Sequence, residues 1–167
     1  MYSIKKAIFG LTEEAIENDR THVLRDCESP GFRALCATHT DGRLIGFTYG
    51  MPVAPDDWWA DVIRPRLAES GHGTWLDDAF AVAELHVLPE FQRRGVGREL
   101  ITALTEANGG RRSILTVIEA EYSAHGFYQS LGYRDLARGV LFPYLPETFT
   151  VMGAPRSRLR PDPSDRP

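Results

Sequence analysis

The sequence predicts a single mixed α/β domain containing one parallel βαβ unit. Three observations predict it. Residues 80–88 read Phe-Ala-Val-Ala-Glu-Leu-His-Val-Leu, an apolar run of strand length on both faces. Residues 96–108 place Val96, Leu100, Ile101 and Leu104 on one helical face, and residues 113–118, Ser-Ile-Leu-Thr-Val-Ile, form a second apolar strand. Strand, helix and strand in succession close as a right-handed crossover, so the two strands are parallel.

The remaining elements follow in chain order. Thr12 is an N-cap for a helix over 12–27, with Glu13 and Glu14 in the first turn, where the helix dipole favours acids. Residues 32–38 and 43–51 read as strands joined across Asp41-Gly42, a hairpin turn signal. Gly46 and Gly50 in the second strand allow close backbone approach. Between 52 and 79, Trp58, Trp59, Val62, Ile63 and Leu67 suggest an amphipathic helix that Pro65 kinks or interrupts and Gly71-His72-Gly73 ends. Gly109-Gly110 stops the 96–108 helix. Ala124, Phe127, Tyr128 and Leu131 share one face of a helix over 121–131 capped by Gly132, and strands over 133–142 and 148–153 follow. The Pro- and Arg-rich stretch 155–167 is expected to be a disordered tail on a domain spanning 1–154.

Composition narrows the function classes. The chain has 167 residues, 43% of them hydrophobic and 25% charged, with a net charge of −4. A domain of this size buries about 70% of the surface its unfolded chain exposes, so it needs neither metal nor disulfide to fold. A mildly acidic chain is a poor general nucleic-acid binder, and the arginines of the tail are separated by prolines. Cys27 and Cys36 lack CxxC spacing, and two lone thiols suit a reducing compartment. No apolar run approaches 18 residues, so no membrane span is expected, and Met1–Lys6 does not lead into a signal-peptide core. The expected location is the cytoplasm. The five histidines, His22, His39, His72, His86 and His125, have no metal-ligand spacing, so no metal is expected. His125 is expected to face solvent.

The sharpest feature is Gln92-Arg93-Arg94-Gly95-Val96-Gly97-Arg98, between a strand and a helix. Glycines here let the backbone turn tightly and approach a ligand, with N–H groups converging at the positive end of a helix. Such a loop is an anion cradle for a phosphate or pyrophosphate. It has no Gly-Lys-Ser/Thr and lacks the third glycine of GxGxxG.

The run Glu84-Leu85-His86-Val87-Leu88-Pro89-Glu90-Phe91-Gln92-Arg93-Arg94-Gly95-Val96-Gly97 resembles the acetyl-CoA motif of the GNAT superfamily of N-acetyltransferases. A second run, Ala124-His125-Gly126-Phe127-Tyr128-Gln129-Ser130-Leu131-Gly132-Tyr133, is similar to the family's Ala-x-x-(Phe/Leu)-Tyr-x-x-x-Gly-(Phe/Tyr). The resemblance implies a mostly antiparallel central sheet with its one parallel βαβ unit at the acetyl-CoA site and helices on both faces. It implies that the backbone of Leu85, His86 and Val87 pairs with the pantetheine arm. It also implies that Gln92, Arg93, Arg94, Gly95, Val96, Gly97 and Arg98 hold the pyrophosphate, and that Tyr128 faces the thioester sulfur and protonates the leaving thiolate. Packing on the apolar helix face is the competing role for Tyr128. Glu121 stands where the family often has Asn, and residues 2–9 are all that precede the first helix for the family's usual first strand.

An amine acceptor near pKa 10.4 is neutral only about 0.04% of the time at pH 7, so a base or water chain assists its attack. Strand alternation puts Phe80, Val82, Glu84 and His86 on one face. Glu84 is the first candidate for base or water-orienting group and His86 the second; a structural polar role competes for each. The resemblance implies an acceptor that is a primary amine of a small molecule or of a peptide or protein. Trp58, Trp59 and Trp75 line an acceptor pocket or pack a covering helix, and Asp56, Asp57, Asp77 and Asp78 are candidates to attract a cation. Two rival readings are a non-catalytic acyl-CoA sensor or scaffold and an enzyme using a longer acyl-CoA. Dimers are common in such folds, and no segment here specifies a dimer interface.

Overall fold

The computed structural model describes residues 1–10, 12–107, 112–143 and 145–155. The elements run α1 (Tyr2–Phe9), α2 (Glu13–Cys27), β1 (Arg33–Thr38), β2 (Leu44–Pro52), α3 (Trp58–Glu69), a short 3₁₀ turn (Gly73–Leu76), β3 (Ala79–Val87), a second 3₁₀ turn (Pro89–Phe91), α4 (Val96–Glu106), β4 (Arg112–Ile118), α5 (Tyr122–Ser130), β5 (Arg134–Leu141) and β6 (Thr148–Pro155). The strands form one sheet in the order β1-β2-β3-β4-β6-β5. β3 and β4 are parallel, paired from Ala79 opposite Arg112 to Ala81 opposite Ile114, as the βαβ reading requires. The pairs β1–β2, β4–β6 and β5–β6 are antiparallel, and helices flank the sheet. The expected stop at Gly109-Gly110 and the expected disordered tail lie outside the described residues, the tail except for Pro155.

The chain forms two compact units, one of Met1–Met51 and the stretch from Val82 through α4, the other of Pro52–Ala81 and the described residues from Arg112 on. In the first unit Ile4, Val23, Phe47, Tyr49, Met51 and Leu88 make a buried cluster. Thr12 caps α2 as read from the sequence, its hydroxyl accepting from Ala15 N at 3.2 Å. The hairpin turn closes through Gly42 at φ +84°, with His39 N donating to Arg43 O. α4 buries Leu100, Ile101 and Leu104, each contributing about 1.5–3 kcal/mol. A Cβ at Gly46 would stand 3.1 Å from His86 O and 3.2 Å from Leu100 Cδ1, so this glycine allows the close approach its sequence context suggests.

Residues 2–9 form a helix, not the expected first strand. Met1, Ile4, Lys5 and Ile8 follow the helical stripe i, i+3, i+4, i+7. Ile4 and Lys5 are adjacent and both buried, which the two faces of a half-buried strand do not allow. The expectation for β3 needs a second correction. Ala79–Val82 are buried, but Ala83 is exposed and Glu84–His86 are half-buried. Burial on both faces stops where the strand begins to carry charge.

In the second unit, α3 runs unbroken through Pro65, which lacks an N–H to donate into the helix. Asp57 caps it, accepting from Trp59 N and Ala60 N. Ile63, Leu67, Trp75, Ile114, Leu136 and Val151 form the buried core. Gly153 sits against it, because a Cβ there would fall 2.5 Å from Leu136 Cδ1 and Trp75 Cζ3. β5 and β6 pair with register shifts between Asp135 and Val140. Gly139 in that bulge donates its N–H to Glu119 Oε1 at 2.7 Å.

Candidate functional site

The loop after β3 is built as a preformed turn. Leu88 N donates to Ile45 O, Phe91 N to Leu88 O, and the Gln92 side-chain amide donates back to Val87 O at 2.9 Å. Arg93 and Gly95 then adopt left-handed conformations, with φ +60° and +90°. Gly95 is the N-cap of α4, whose first intrahelical bond runs from Glu99 N to Gly95 O. A left-handed residue followed by a helical one turns successive N–H groups toward one point, beside the positive end of the helix dipole. Glycine meets the positive φ without a Cβ penalty. A Cβ built at Gly95 would find only Glu99 Oε1 within 4 Å, at 3.9 Å, so the space over this backbone is open. Gln92, Arg93, Arg94 and Arg98 are exposed around it. Arg94 lies over the Phe91 ring at 5.6 Å, and Arg43 lies over the same ring at 5.2 Å. An open, helix-capping, arginine-flanked turn fits the pyrophosphate of a nucleotide-like cofactor. Val96 and Gly97 are the first two residues of α4. Upstream, Leu85 and His86 are half-buried and Val87 is buried.

Glu84 and His86 come together on one face of β3, as strand alternation predicts. Glu84 Oε1 accepts from Lys5 Nζ at 2.8 Å and from the Tyr49 hydroxyl at 3.1 Å. Oε2 is buried and lies 3.3 Å from His86 Nε2. Burial pushes the Glu84 carboxyl up, but His86 and Lys5 outweigh it and hold the group below its ordinary value. Thr48 adds a hydroxyl bond to Glu84 O at 2.7 Å. The His86 ring packs 5.2 Å from Phe47. Sequence reasoning found Glu84 and His86 but missed Lys5 and Tyr49. The signal was there for Lys5, a lysine inside the apolar stripe of residues 1–8.

Tyr128 lies in the second unit, on α5. Its ring is in edge contact with Phe127 at 5.1 Å and Tyr133 at 5.5 Å. Burial raises its phenol well above the ordinary 10.0. Among the described residues no hydrogen bond engages its hydroxyl. Gly132 follows the helix at φ +88°, and Tyr133 N donates to Tyr128 O. His125 is not a solvent-facing residue. Its Nε2 lies 2.7 Å from Asp135 Oδ1, and Arg138 binds the other oxygen of the same carboxylate. A lone helical histidine gives no hint of a partner on the next strand. Glu121 is exposed just before α5 and makes no side-chain cap bond.

The tryptophans divide. Trp75 is buried in the core, Trp59 packs against it and points its indole N–H at Thr116 Oγ1 at 3.4 Å, and Trp58 is 58% exposed with its ring edge-on to Phe142. Two of the three therefore pack. Asp77 and Asp78 line a concavity of about 490 Å³ with Asp61, Arg64, Val53 and Leu76, whereas Asp57 is spent on the α3 cap. Among the described residues, no group of three or more potential ligands is placed to hold a metal ion, and no helix is long and apolar enough to cross a membrane. Cys27 and Cys36 are both free and exposed.

Comparison with known proteins agrees with this architecture. The sequence pattern of the Acetyltransferase (GNAT) domain matches residues 30–135. A GCN5-like protein acetyltransferase, Rv2170 of Mycobacterium tuberculosis, is 30% identical over 122 residues, covering 68% of this chain and 59% of the relative. The chain thus spans less than two thirds of that protein's length. A putative GNAT-family acetyltransferase from Desulfovibrio desulfuricans superposes with a TM-score of 0.67 at 16% identity, over 93% of this chain and 89% of that one. The ribosomal-protein-S18-alanine N-acetyltransferase of Escherichia coli superposes with a TM-score of 0.58 at 19% identity, over 81% and 75% of the two chains. These two likenesses concern the fold. Since the domain pattern covers both motifs and most of the chain between α2 and β5, the chain belongs to the GNAT acetyltransferase family.

Proposed function

We propose that this protein is an N-acetyltransferase that passes an acetyl group from acetyl-CoA directly to a primary amine. The observation that carries this reading is the turn at Arg93 and Gly95, two left-handed residues opening onto the N-terminus of α4. Gln92–Arg98 would hold the pyrophosphate through backbone N–H groups and the flanking guanidiniums. The backbone of Leu85–Val87 would align the pantetheine arm. Bound there, acetyl-CoA supplies an activated acetyl thioester.

The chain's own residues then manage protons. The acceptor must lose one before it attacks. Glu84 is held below its ordinary pKa and already accepts from Lys5 and Tyr49, so it is a poor acceptor for an ammonium proton. An imidazole is the side-chain type that exchanges protons near neutrality. The reading therefore gives His86 the proton and gives Glu84 the task of orienting the ring. Tyr128 gives its proton to the departing sulfur, and the second proton that the nitrogen sheds on becoming an amide restores the phenol. Its raised pKa keeps the phenol protonated at neutral pH, and the burial that disfavours a phenolate also raises the proton affinity of a thiolate beside it.

The name of the Mycobacterium tuberculosis relative favours a peptide or protein amine as acceptor; a small-molecule amine is the second reading. Calorimetric titration with acetyl-CoA tests the cofactor step, alongside a variant carrying Arg93→Gln, Arg94→Gln and Arg98→Gln. Binding that weakens at least tenfold in the variant supports the cradle, and no binding by the native chain removes it. Thiol release with a panel of peptide and small-molecule amines tests the transfer. Binding without release across the panel favours a sensor, and tighter binding of a longer acyl-CoA changes the donor.

A further inference from the structure

We propose that Arg43, in the hairpin between β1 and β2, reads the 3′-phosphate on the ribose of the cofactor, and so makes the chain discriminate acetyl-CoA from its dephospho form. The inference rests on acetyl-CoA as the donor in the reading above. Its basis is a cluster on the Phe91 ring, within the first unit. The Arg43 guanidinium lies over that ring at 5.2 Å and the Arg94 guanidinium at 5.6 Å. The His39 ring stands 5.4 Å from it, tilted by 58°. Phe91 is half-buried and packs against the core of the unit, so the platform is fixed. Arg94 belongs to the cradle loop, one residue before the Gly95 cap of α4. Arg43 lies outside that loop and outside both sequence motifs.

The backbone of Arg43 is pinned within its turn. Its N–H donates to Asp41 Oδ1 at 2.9 Å, and His39 N donates to its carbonyl at 2.8 Å. Leu88 N donates to Ile45 O and ties the hairpin to the chain entering the cradle. A guanidinium stacked on a fixed ring has lost part of its rotamer freedom before a ligand arrives, while its N–H edge stays available. Arg43 also pairs with Glu90 Oε1 at 3.3 Å, both side chains being 53% exposed. An ion pair so open to water holds its partners weakly, and one carboxylate oxygen occupies only part of a five-donor fork. A phosphate monoester, with two negative charges and three oxygens, competes well for the rest. Two guanidiniums drawn to one ring also place like charges together, an arrangement that an added anion stabilises. Acetyl-CoA brings such an anion. Besides its pyrophosphate it carries a phosphate one sugar further on. With the pyrophosphate at Gln92–Arg98, Arg43 is the guanidinium that a neighbouring element contributes to the aromatic ring of that loop.

The test is calorimetric titration of the full chain with acetyl-CoA and with acetyl-dephospho-CoA, in about 0.15 M salt, where exposed charges more than about 8 Å apart are largely screened. The native chain is expected to bind acetyl-CoA about tenfold more tightly or better, as a charge-assisted phosphate contact provides. Arg43→Gln is expected to narrow that ratio to under about threefold by weakening acetyl-CoA alone, with the dephospho form bound as by the native chain. Arg43→Lys keeps the charge without the planar fork, and its ratio is expected to fall between the two. If Arg43→Gln does not fold, an unchanged ratio in Arg43→Lys overturns the inference. Equal native affinity for the two ligands overturns it and leaves the cofactor reading standing, as does a ratio that Arg43→Gln leaves unchanged. Equal weakening of both ligands in that variant gives Arg43 to the pyrophosphate, and overturns it too. If the native chain binds neither ligand, the cofactor reading falls and this inference with it.

Discussion

The rings of Tyr128 and Tyr133 meet edge to face, 5.5 Å between centroids, yet only one hydroxyl is committed to the fold. The Tyr133 hydroxyl and Ser113 Oγ are 2.5 Å apart, while the Tyr128 hydroxyl has no such bond among the described residues. Neighbouring side chains of the same type therefore have different tasks. Tyr133→Phe should leave the buried Ser113 hydroxyl unpaired and cost about 1–2 kcal/mol, with turnover of the folded protein little changed. Tyr128→Phe should cost under about 0.5 kcal/mol, since no bond is lost, but reduce turnover by about a hundredfold if the phenol is the acid. Denaturant midpoints and kcat on both variants decide it. Equal stability losses with equal turnover losses would contradict the division.

The same two phenols should ionise late. Burial raises both above the ordinary 10.0. A raised folded-state pKa gives stability that is complete below the unfolded value and is lost as pH rises past it. Ultraviolet titration should therefore show a part of the tyrosine absorbance change that arrives only with alkaline unfolding. A single smooth transition would refute the assignment.

Acid should act in the opposite sense. Burial raises and His86 and Lys5 lower the Glu84 carboxyl, with a net position below the ordinary 4.5. For Asp135, burial raises and Arg138 and His125 lower, again with the net below the ordinary 3.8. A depressed folded-state pKa contributes stability above the unfolded value and loses it as pH falls through the folded one. Urea midpoints at pH 7 and pH 3.5 should converge for native protein and Glu84→Gln, the variant being weaker mainly at pH 7. A constant gap would show that the loss is packing, not charge.

Two glycines should resist alanine for steric reasons. Gly153→Ala drives a methyl into Leu136 and Trp75 and should cost about 1–3 kcal/mol. Gly46→Ala meets the His86 carbonyl at 3.1 Å and should cost less, but shift the His86 NMR signals, because β3 must move. A thermal scan and one spectrum of each variant suffice to check this.

At the cradle, Gly95→Ala forces a Cβ onto a residue at φ +90°. It should cost about 1–2 kcal/mol and weaken acetyl-CoA binding together with it. Native binding should also weaken from 50 to 500 mM salt, as ionic contacts with a polyanion do, and the triple arginine variant should lose most of that dependence. Salt-independent native binding would exclude an electrostatic cradle.

What the sequence by itself determined is local and periodic. The Thr12 cap, the Asp41-Gly42 turn, the apolar stripe of α4 and the glycine after α5 are each written within a few residues, where i, i+2 and i, i+4 spacings fix which groups meet. The βαβ unit followed from those spacings plus chain handedness, and the two motifs identified the family. The tertiary structure alone decided the pairings across the chain. Lys5 meets Glu84 from 79 positions away, His125 meets Asp135 on the next strand, and Ser113 chooses Tyr133 over Tyr128. It also decided that residues 2–9 coil. Eight residues are too few for a helix to hold alone in water, so α1 exists because Ile4 is buried against Val23 and Phe47 and because a buried ammonium finds its carboxylate. Local spacing carries no information about which distant charge will be desolvated beside which other, and the pairing of Lys5 with Glu84 is set by that proximity.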